Sequence, residues 1–274
     1  MLNILLADST FNELRNYIYE KCGIYITDTK KYLVENRLSR ILQEKNLNNF
    51  EEYLKLLKYS TNGNELSRLF DAVTTNETYF FREPDQLHVF QNEIIPRIIS
   101  QKRNPQQLKI WSAACSSGEE PYTLSMMLHE KGYHAKQFEI YGSDISETVL
   151  QSAKRAVYNS YSVRNVPVAY ARKYFSCTGQ TYALDESIKN SVKFMKINLI
   201  DDKNTRLLRN SDIIFCRNVL IYFDVKSKQK VASLLYDCLN PGGYLLIGAS
   251  ESLHNITRAF RPNILNKVIA YQKV

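Results

Sequence analysis

The chain has little from which to build a metal centre or a disulfide framework. Its five cysteines (Cys22, Cys115, Cys177, Cys216, Cys238) are widely spaced and form no Cys-x-x-Cys pair, and its four histidines stand at no ligand spacing. Structural zinc and paired disulfides are therefore not expected. No apolar run exceeds the length of a strand, so membrane insertion is not expected either. The opening MLNILLADST lacks the cationic start and apolar stretch of a signal peptide. These absences point to a cytoplasmic protein without a metal. Glycine is sparse where nucleotide sites need it most. The turn in WSAACSSGEEPY (111–122) carries one, Gly118, where a phosphate-cradling loop has three.

What is present is the composition of a soluble globular protein, 274 residues long, 44% hydrophobic and 23% charged. The length allows one large domain or two smaller ones. The formal net charge of +8 favours an acidic partner, with nucleic acid and an acidic protein surface both qualifying, or else marks a basic background without partner meaning.

Residues 1–73 read as helices. Thr10 with Glu13 fits a capping box ahead of FNELRNYIYEKC, which Gly23 stops. TKKYLVENRLSRILQEKN places Val34, Leu38, Ile41 and Leu42 on one face, with Lys30, Lys31, Arg37 and Arg40 largely off it. FEEYLKLLKYS after Asn48 and Asn49 is a third helix, TNGN (61–64) a loop, and ELSRLFDAV the start of a fourth. Beyond the helical PDQLHVFQNEIIPRIISQ and the loop KRNP (102–105) the pattern changes. QQLKIWSAA, QFEIYGSD, SVKFMKINL, SDIIFCRN and GGYLLIGAS are strand-like runs, most with helical patterns between them, which predicts a mostly parallel α/β sheet. AFRPNILNKVIAYQKV reads as a hairpin closing one edge, and the tyrosine-rich, irregular stretch of about 158–190 as an inserted subdomain.

The strand–turn–helix of KIWSAACSSGEEPYTLSMML (109–128) is the first candidate site. Its small residues let a ligand approach the backbone, yet Glu119 would repel a phosphate. A cationic ligand suits the turn better. S-adenosylmethionine, with an ammonium, a sulfonium and no phosphate, fits, and Glu119 is assigned to the ammonium. Glu120 reads as a first-turn acid serving the helix dipole. Asp144, ending the second strand, is placed to accept hydrogen bonds from two ribose hydroxyls, or else to cap the next helix. Asn198 and Leu199 can flank an adenine. Asn218 and Tyr222 follow the fourth strand and read as site residues or as a turn asparagine and a core tyrosine. TTNETYFFRE (74–83) links the two halves, and its Asn76, Thr78 and Arg82 remain open between a site and a connector on residue chemistry alone.

Together TTNETYFFRE, WSAACSSGEEPY, GSDIS, INL and IFCRNVLIYFD resemble, in that order, the CheR family of chemoreceptor glutamate O-methyltransferases, over about residues 10–270. The resemblance implies an all-α N-terminal domain (1–73) and a Rossmann-like class I methyltransferase domain (74–274) with a small inserted β-subdomain. It implies that Asn76, Thr78, Arg82, Glu119, Asp144, Asn198, Leu199, Arg217 and Asn218 contact S-adenosyl-L-methionine, which leaves as S-adenosyl-L-homocysteine. It also implies that the helix carrying Lys31, Arg37 and Arg40 meets the cytoplasmic helical bundle of a chemoreceptor. Arg82 and Tyr222 are the expected catalytic pair, orienting the incoming carboxylate. Relatives that dock on a receptor's tail peptide have a glycine-rich loop in the subdomain. FSCTGQTYALDESIKNSV has Gly179 alone, so direct recognition of the bundle is expected. Two rivals remain: a nucleic-acid methyltransferase, favoured by Asn-x-x-x-Tyr and the net charge but lacking a proline pair after Asn218, and a non-catalytic sensor that binds the same ligand.

Overall fold

In the computed structural model the described residues are 4–60, 63–102, 107–134 and 136–274. Residues 61–62 of the TNGN loop and 103–105 of the KRNP loop lie outside them. Four helices come first: α1 (Asp8–Cys22), α2 (Lys31–Lys45), α3 (Phe50–Tyr59) and α4 (Asn64–Val73). They bury a common apolar cluster that includes Leu14, Ile18, Val34, Leu38, Leu42, Tyr53 and Leu69. Asn49 caps α3, its side chain accepting from the Glu52 N–H. The capping box at Thr10 and Glu13 is not formed. Helix α1 starts earlier, at Asp8, with Ala7 at its N-cap and no side-chain cap. Thr10 instead donates to Glu51, and Glu13 pairs with Lys58 at 2.8 Å. Tertiary partners on α3 thus outcompete the local cap.

The stretch 84–101 is α5 (Pro84–Val89), one π-helical turn (Phe90–Ile94) and α6 (Ile95–Gln101). Pro96 lacks the N–H that the preceding α-turn would use, which accounts for the widened turn there. The remainder alternates strands and helices: β1 (Leu108–Ala113), α7 (Glu119–Glu130), β2 (Phe138–Asp144), α8 (Glu147–Arg155), β3 (Val157–Asn159), α9 (Ser160–Val163), α10 (Val168–Tyr174), β4 (Phe175–Thr178), β5 (Thr181–Leu184), α11 (Glu186–Lys189), β6 (Val192–Lys196), α12 (Asp202–Thr205), β7 (Ser211–Cys216), α13 (Val225–Cys238), β8 (Leu239–Ile247), β9 (Phe260–Leu265) and β10 (Val268–Lys273).

Seven strands form the main sheet in the order β6-β2-β1-β7-β8-β10-β9. The first five run parallel, and β10 is antiparallel to both of its neighbours. The side-chain period of two splits the core cleanly. Leu108 and Ile110 of β1, Ile213 and Phe215 of β7, and Tyr244 and Leu246 of β8 face one cluster. Trp111, Ile214, Leu245 and Ile247 face the other. Each such fully buried side chain contributes about 1.5–3 kcal/mol. The indole N–H of Trp111 is satisfied by Ser143 Oγ at 2.8 Å. The stretch read as irregular forms a second, three-stranded sheet, β3-β5-β4, flanked by α9, α10 and α11. Its strands are only three or four residues long and largely exposed, so no run of alternating apolar residues marks them. Among the described residues, no helix is long and apolar enough to cross a membrane.

Candidate active site

Strand order reverses at β1: from it the chain proceeds to β2 on one side, and later to β7 on the other. A crevice opens beyond the carboxyl ends of these strands, where ligands bind in doubly wound sheets. It encloses about 1080 Å³ including its open mouth, and is lined by residues 73–79 and Arg82 of the linker, Ala114–Ser116, Glu120 and Thr123 of the turn and α7, Asp144, Asn198, Leu199, Arg217, Asn218 and Tyr222.

The turn is built on left-handed backbone at Ala114 (φ 61°), Ser116 (φ 50°) and Gly118 (φ 92°). Only the last is a glycine, and there a Cβ would come within 2.9 Å of Ala153 Cβ. The one glycine of the turn therefore serves packing of α7 against α8. Asn218, also left-handed, lines the crevice with Ala114 and Ser116, and Phe81 and Glu83 flank Arg82 of its wall. Such backbone costs of order 1 kcal/mol per residue and persists where the surroundings impose it.

Asp144 is 5% exposed at the end of β2. Its carboxylate accepts from the Ser116 N–H at 2.9 Å and from the Ser146 N–H at 3.0 Å. Burial pushes its carboxyl above the ordinary range, opposed by those two N–H groups. The cap of α8 is Ser146, whose side chain accepts from the Val149 N–H, so Asp144 is not the helix cap. An N–H of the turn that would cradle a phosphate is thus already given to a carboxylate.

Of the two glutamates of α7, Glu120 lines the crevice and Glu119, the residue expected at the ammonium, does not. Glu119, 1% exposed, accepts from Ser117 Oγ at 2.8 Å and from Ser162 Oγ of the inserted subdomain at 3.0 Å, and it does not line the crevice. Glu120 does line it, accepting from Ser112 Oγ at 2.6 Å and pairing with Arg217 at 3.1 Å. Successive residues of a helix point about 100° apart, so the two side chains diverge, Glu120 toward the crevice and Glu119 toward the inserted subdomain. Burial raises the pKa of both carboxyls, and the Arg217 guanidinium opposes that rise at Glu120.

Arg217 is a junction. It meets Glu83 at 3.2 Å as well as Glu120, and donates to the Arg82 carbonyl at 2.6 Å. Asn218 donates to Glu83 Oε1 at 3.2 Å, and its own N–H donates to Glu251 Oε2 at 2.8 Å. Glu251 also accepts from the N–H groups of Ile221 and Gly248, so one carboxylate fixes the turn that carries Tyr222. Glu83 and Glu251 were not singled out from the sequence, and Glu120 was read there as an acid serving the helix dipole. No local pattern shows that Glu83 meets Arg217 and Asn218, or that Glu251 reaches back thirty or more residues to Asn218 and Ile221.

The linker lies against the same turn. Ser116 Oγ donates to the Asn76 carbonyl at 2.8 Å, and the Phe81 N–H to Thr123 Oγ1 at 3.2 Å. Asn76, Thr78 and Arg82 all reach the crevice wall, as do Leu199 and Tyr222. Asn198 also lines it, but its amide donates to the Lys21 carbonyl of α1 at 2.6 Å and accepts from the Ile200 N–H at 3.3 Å. That amide ties the sheet to the helical domain, and Leu199 beside it lines the crevice with Ile145 and Ile197 as an apolar wall. Lys31, Arg37 and Arg40 lie on α2, away from the crevice lining. Lys31 pairs with Asp8 and Arg40 with Glu44. Arg37 is not a free surface cation: it donates to the Val73 carbonyl at 2.7 Å and to Thr75 Oγ1 at 2.9 Å, holding α2 to the linker.

The crevice matches the chemistry of S-adenosylmethionine at both ends. On the β2 side stand an acid at a strand end and an apolar wall, suited to ribose and adenine. On the β7 side stand Glu120 with Arg82 and Arg217, opposite charges suited to the ammonium and carboxylate of an amino acid. A Rossmann-like sheet with this crevice at its switch point defines the chain as a class I, S-adenosylmethionine-dependent methyltransferase.

The chain belongs to the CheR methyltransferase family. It matches the family's all-alpha domain over residues 9–74 and its SAM binding domain over residues 76–269. It is 37% identical over 276 residues to chemotaxis protein methyltransferase 2 of Vibrio cholerae, covering 100% of this chain and 96% of the relative. It is 38% identical over 258 residues to the chemotaxis protein methyltransferase of Borreliella burgdorferi, covering 92% and 91%. Among solved structures, a TehB-like SAM-dependent methyltransferase from Corynebacterium glutamicum aligns with TM-score 0.40 and 14% identity, over 70% of this chain and 95% of that one.

Proposed function

We propose that the chain transfers the methyl group of S-adenosyl-L-methionine to glutamate side chains in the cytoplasmic helical bundle of a chemoreceptor, forming methyl esters in chemotaxis adaptation. The observation that carries this reading is the presence of Arg82 and Tyr222 on the wall of the crevice that Asp144 and Glu120 also line. The names of the relatives support the chemotactic context.

S-adenosylmethionine supplies an electrophilic methyl on a sulfonium. The acceptor needs no general base, because a glutamate with a pKa near 4.3 is ionised at neutral pH. The work of the protein is alignment and drying, and alignment alone is worth roughly 7–11 kcal/mol. Arg82 donates to the Glu77 carbonyl at 3.2 Å, which steadies its guanidinium near the mouth. In the proposed reaction it orients the incoming carboxylate together with the Tyr222 hydroxyl. A cation loses attraction for the carboxylate as the ester forms, so that grip must align the substrate without stabilising its ionised form enough to cancel the gain from alignment. Glu83 and Glu251 hold the Arg217–Tyr222 turn in register.

The test is incubation with methyl-labelled cofactor and the cytoplasmic fragment of a chemoreceptor, with random DNA and RNA in parallel. Base-labile label on the receptor is the expected result. Label on nucleic acid, or cofactor bound without transfer, would establish one of the rivals instead.

The exposed face of α2 is the proposed receptor contact. Arg40 is its clean probe, because its side chain is 85% exposed and its partner Glu44 lies one turn away on the same helix. Arg40→Glu should raise KM for the receptor by about threefold to tenfold and leave cofactor affinity unchanged. An unaltered KM removes α2 from recognition. Arg37→Glu is a poorer test, since it also cuts the tie to Val73 and Thr75.

A further inference from the structure

We propose that Arg164 is a second carboxylate-binding group at the mouth of the crevice, selecting substrates with an acidic side chain beside the glutamate to be methylated. This deepens the proposed function and rests on it.

Contacts run outward from the crevice as a column of cations and rings. The Arg82 guanidinium lies 5.6 Å from the centroid of the Tyr79 ring, and both residues line the crevice. The Arg164 guanidinium lies 3.7 Å from that same ring and 3.6 Å from the ring of Tyr161, which is 48% exposed. Arg164 is therefore held between two aromatic residues. One, Tyr79, belongs to the linker, and the other, Tyr161, belongs to α9 of the inserted subdomain. Both are anchored. The Tyr161 hydroxyl donates to the Glu77 carboxylate, and the Phe80 N–H donates to the Ser162 carbonyl at 3.0 Å.

Stacking covers the faces of a guanidinium and leaves its edges, which carry five N–H donors. One of these, on Nη1, donates to the Tyr161 carbonyl. No carboxylate among the described residues pairs with Arg164. An exposed cation fixed in orientation, in direct ion pair with no carboxylate of the described residues and next to the residue that orients the reacting carboxylate, is built to receive another anion. Two guanidinium groups joined through one tyrosine suit a helix surface bearing two neighbouring acids, one entering the crevice and one staying on the lip.

The test compares the wild type, R164A and R164K on two substrates: a chemoreceptor cytoplasmic fragment, and the same fragment with the acids flanking the methylated glutamate changed to Gln. R164A should raise KM on the native fragment about tenfold, with kcat, cofactor Kd and melting temperature unchanged. R164K should recover little, because an ammonium has no planar fork to seat between rings. On the Gln-flanked fragment the wild type should show the same raised KM, and R164A should cost nothing further. An unchanged KM for R164A, an equal loss on both fragments, or a loss of cofactor affinity overturns the inference. Failure of the wild type to form a base-labile ester on either fragment overturns the proposed function itself, a result distinguishable from an active enzyme indifferent to Arg164.

Discussion

Asp144→Ala should lower affinity for S-adenosylmethionine by roughly a hundredfold or more, while turnover at saturating cofactor changes less. Two charge-assisted hydrogen bonds to a ribose diol, each worth about 1.5–3 kcal/mol, set the scale. The same carboxylate also holds the Ser116 and Ser146 N–H groups, so its removal loosens the turn as well as the ligand contact. Isothermal titration measures the first effect and thermal melting of the ligand-free protein the second. Affinity equal to the wild type would remove the ribose role. A pH dependence follows from the burial that raises the Asp144 pKa. Ribose hydroxyls donate to the ionised form, so affinity is full above the raised pKa and declines as pH falls through it. The decline should therefore begin above the ordinary aspartate value of about 3.9, and Asp144→Ala should flatten it.

The catalytic sheet, the helical domain and most of the crevice were legible from residue patterns because those parts obey local rules. Apolar runs of strand length alternate with helical periods, and β1, β2, β7 and β8 fall where those runs lie. Acids and amides at strand ends converge because doubly wound sheets bring the carboxyl ends of their strands together, and Asp144, Asn198, Arg217 and Asn218 do share one lining. What escaped notice depends on long-range contact. The Thr10–Glu13 cap failed because Glu51 offered Thr10 a tertiary partner. The inserted sheet was expected from the resemblance alone, because its strands are too short and exposed to carry an alternating pattern. Arg37 resembled a surface cation until the fold placed the Val73 carbonyl beside it.

Glu120→Gln should weaken cofactor binding by roughly 10–100-fold, whereas Glu119→Gln should leave it unchanged. The two residues are neighbours of the same type, Glu119 fully buried and Glu120 partly so, and the comparison holds composition fixed while it varies direction. Glu120 shares the crevice with Arg82 and Arg217, and an ammonium placed there replaces solvent with a fixed opposite charge, worth about 1.5–3 kcal/mol. Its loss also leaves Arg217, which is 7% exposed, with Glu83 as its one carboxylate partner. Some drop in melting temperature should accompany it, since a buried guanidinium that loses one of its two carboxylate partners is less well compensated. Glu119 instead joins the turn to the inserted subdomain through Ser117 and Ser162. Glutamine can still accept from one hydroxyl, and burial already disfavours the charged form of Glu119, so Glu119→Gln should change melting temperature little. Titration of both variants with S-adenosylmethionine and with S-adenosylhomocysteine decides between them. Both ligands keep the amino acid end, so Glu120→Gln should weaken the two alike. Weakened binding in Glu119→Gln alone would restore the ligand role to that residue and show that the turn rearranges around the cofactor.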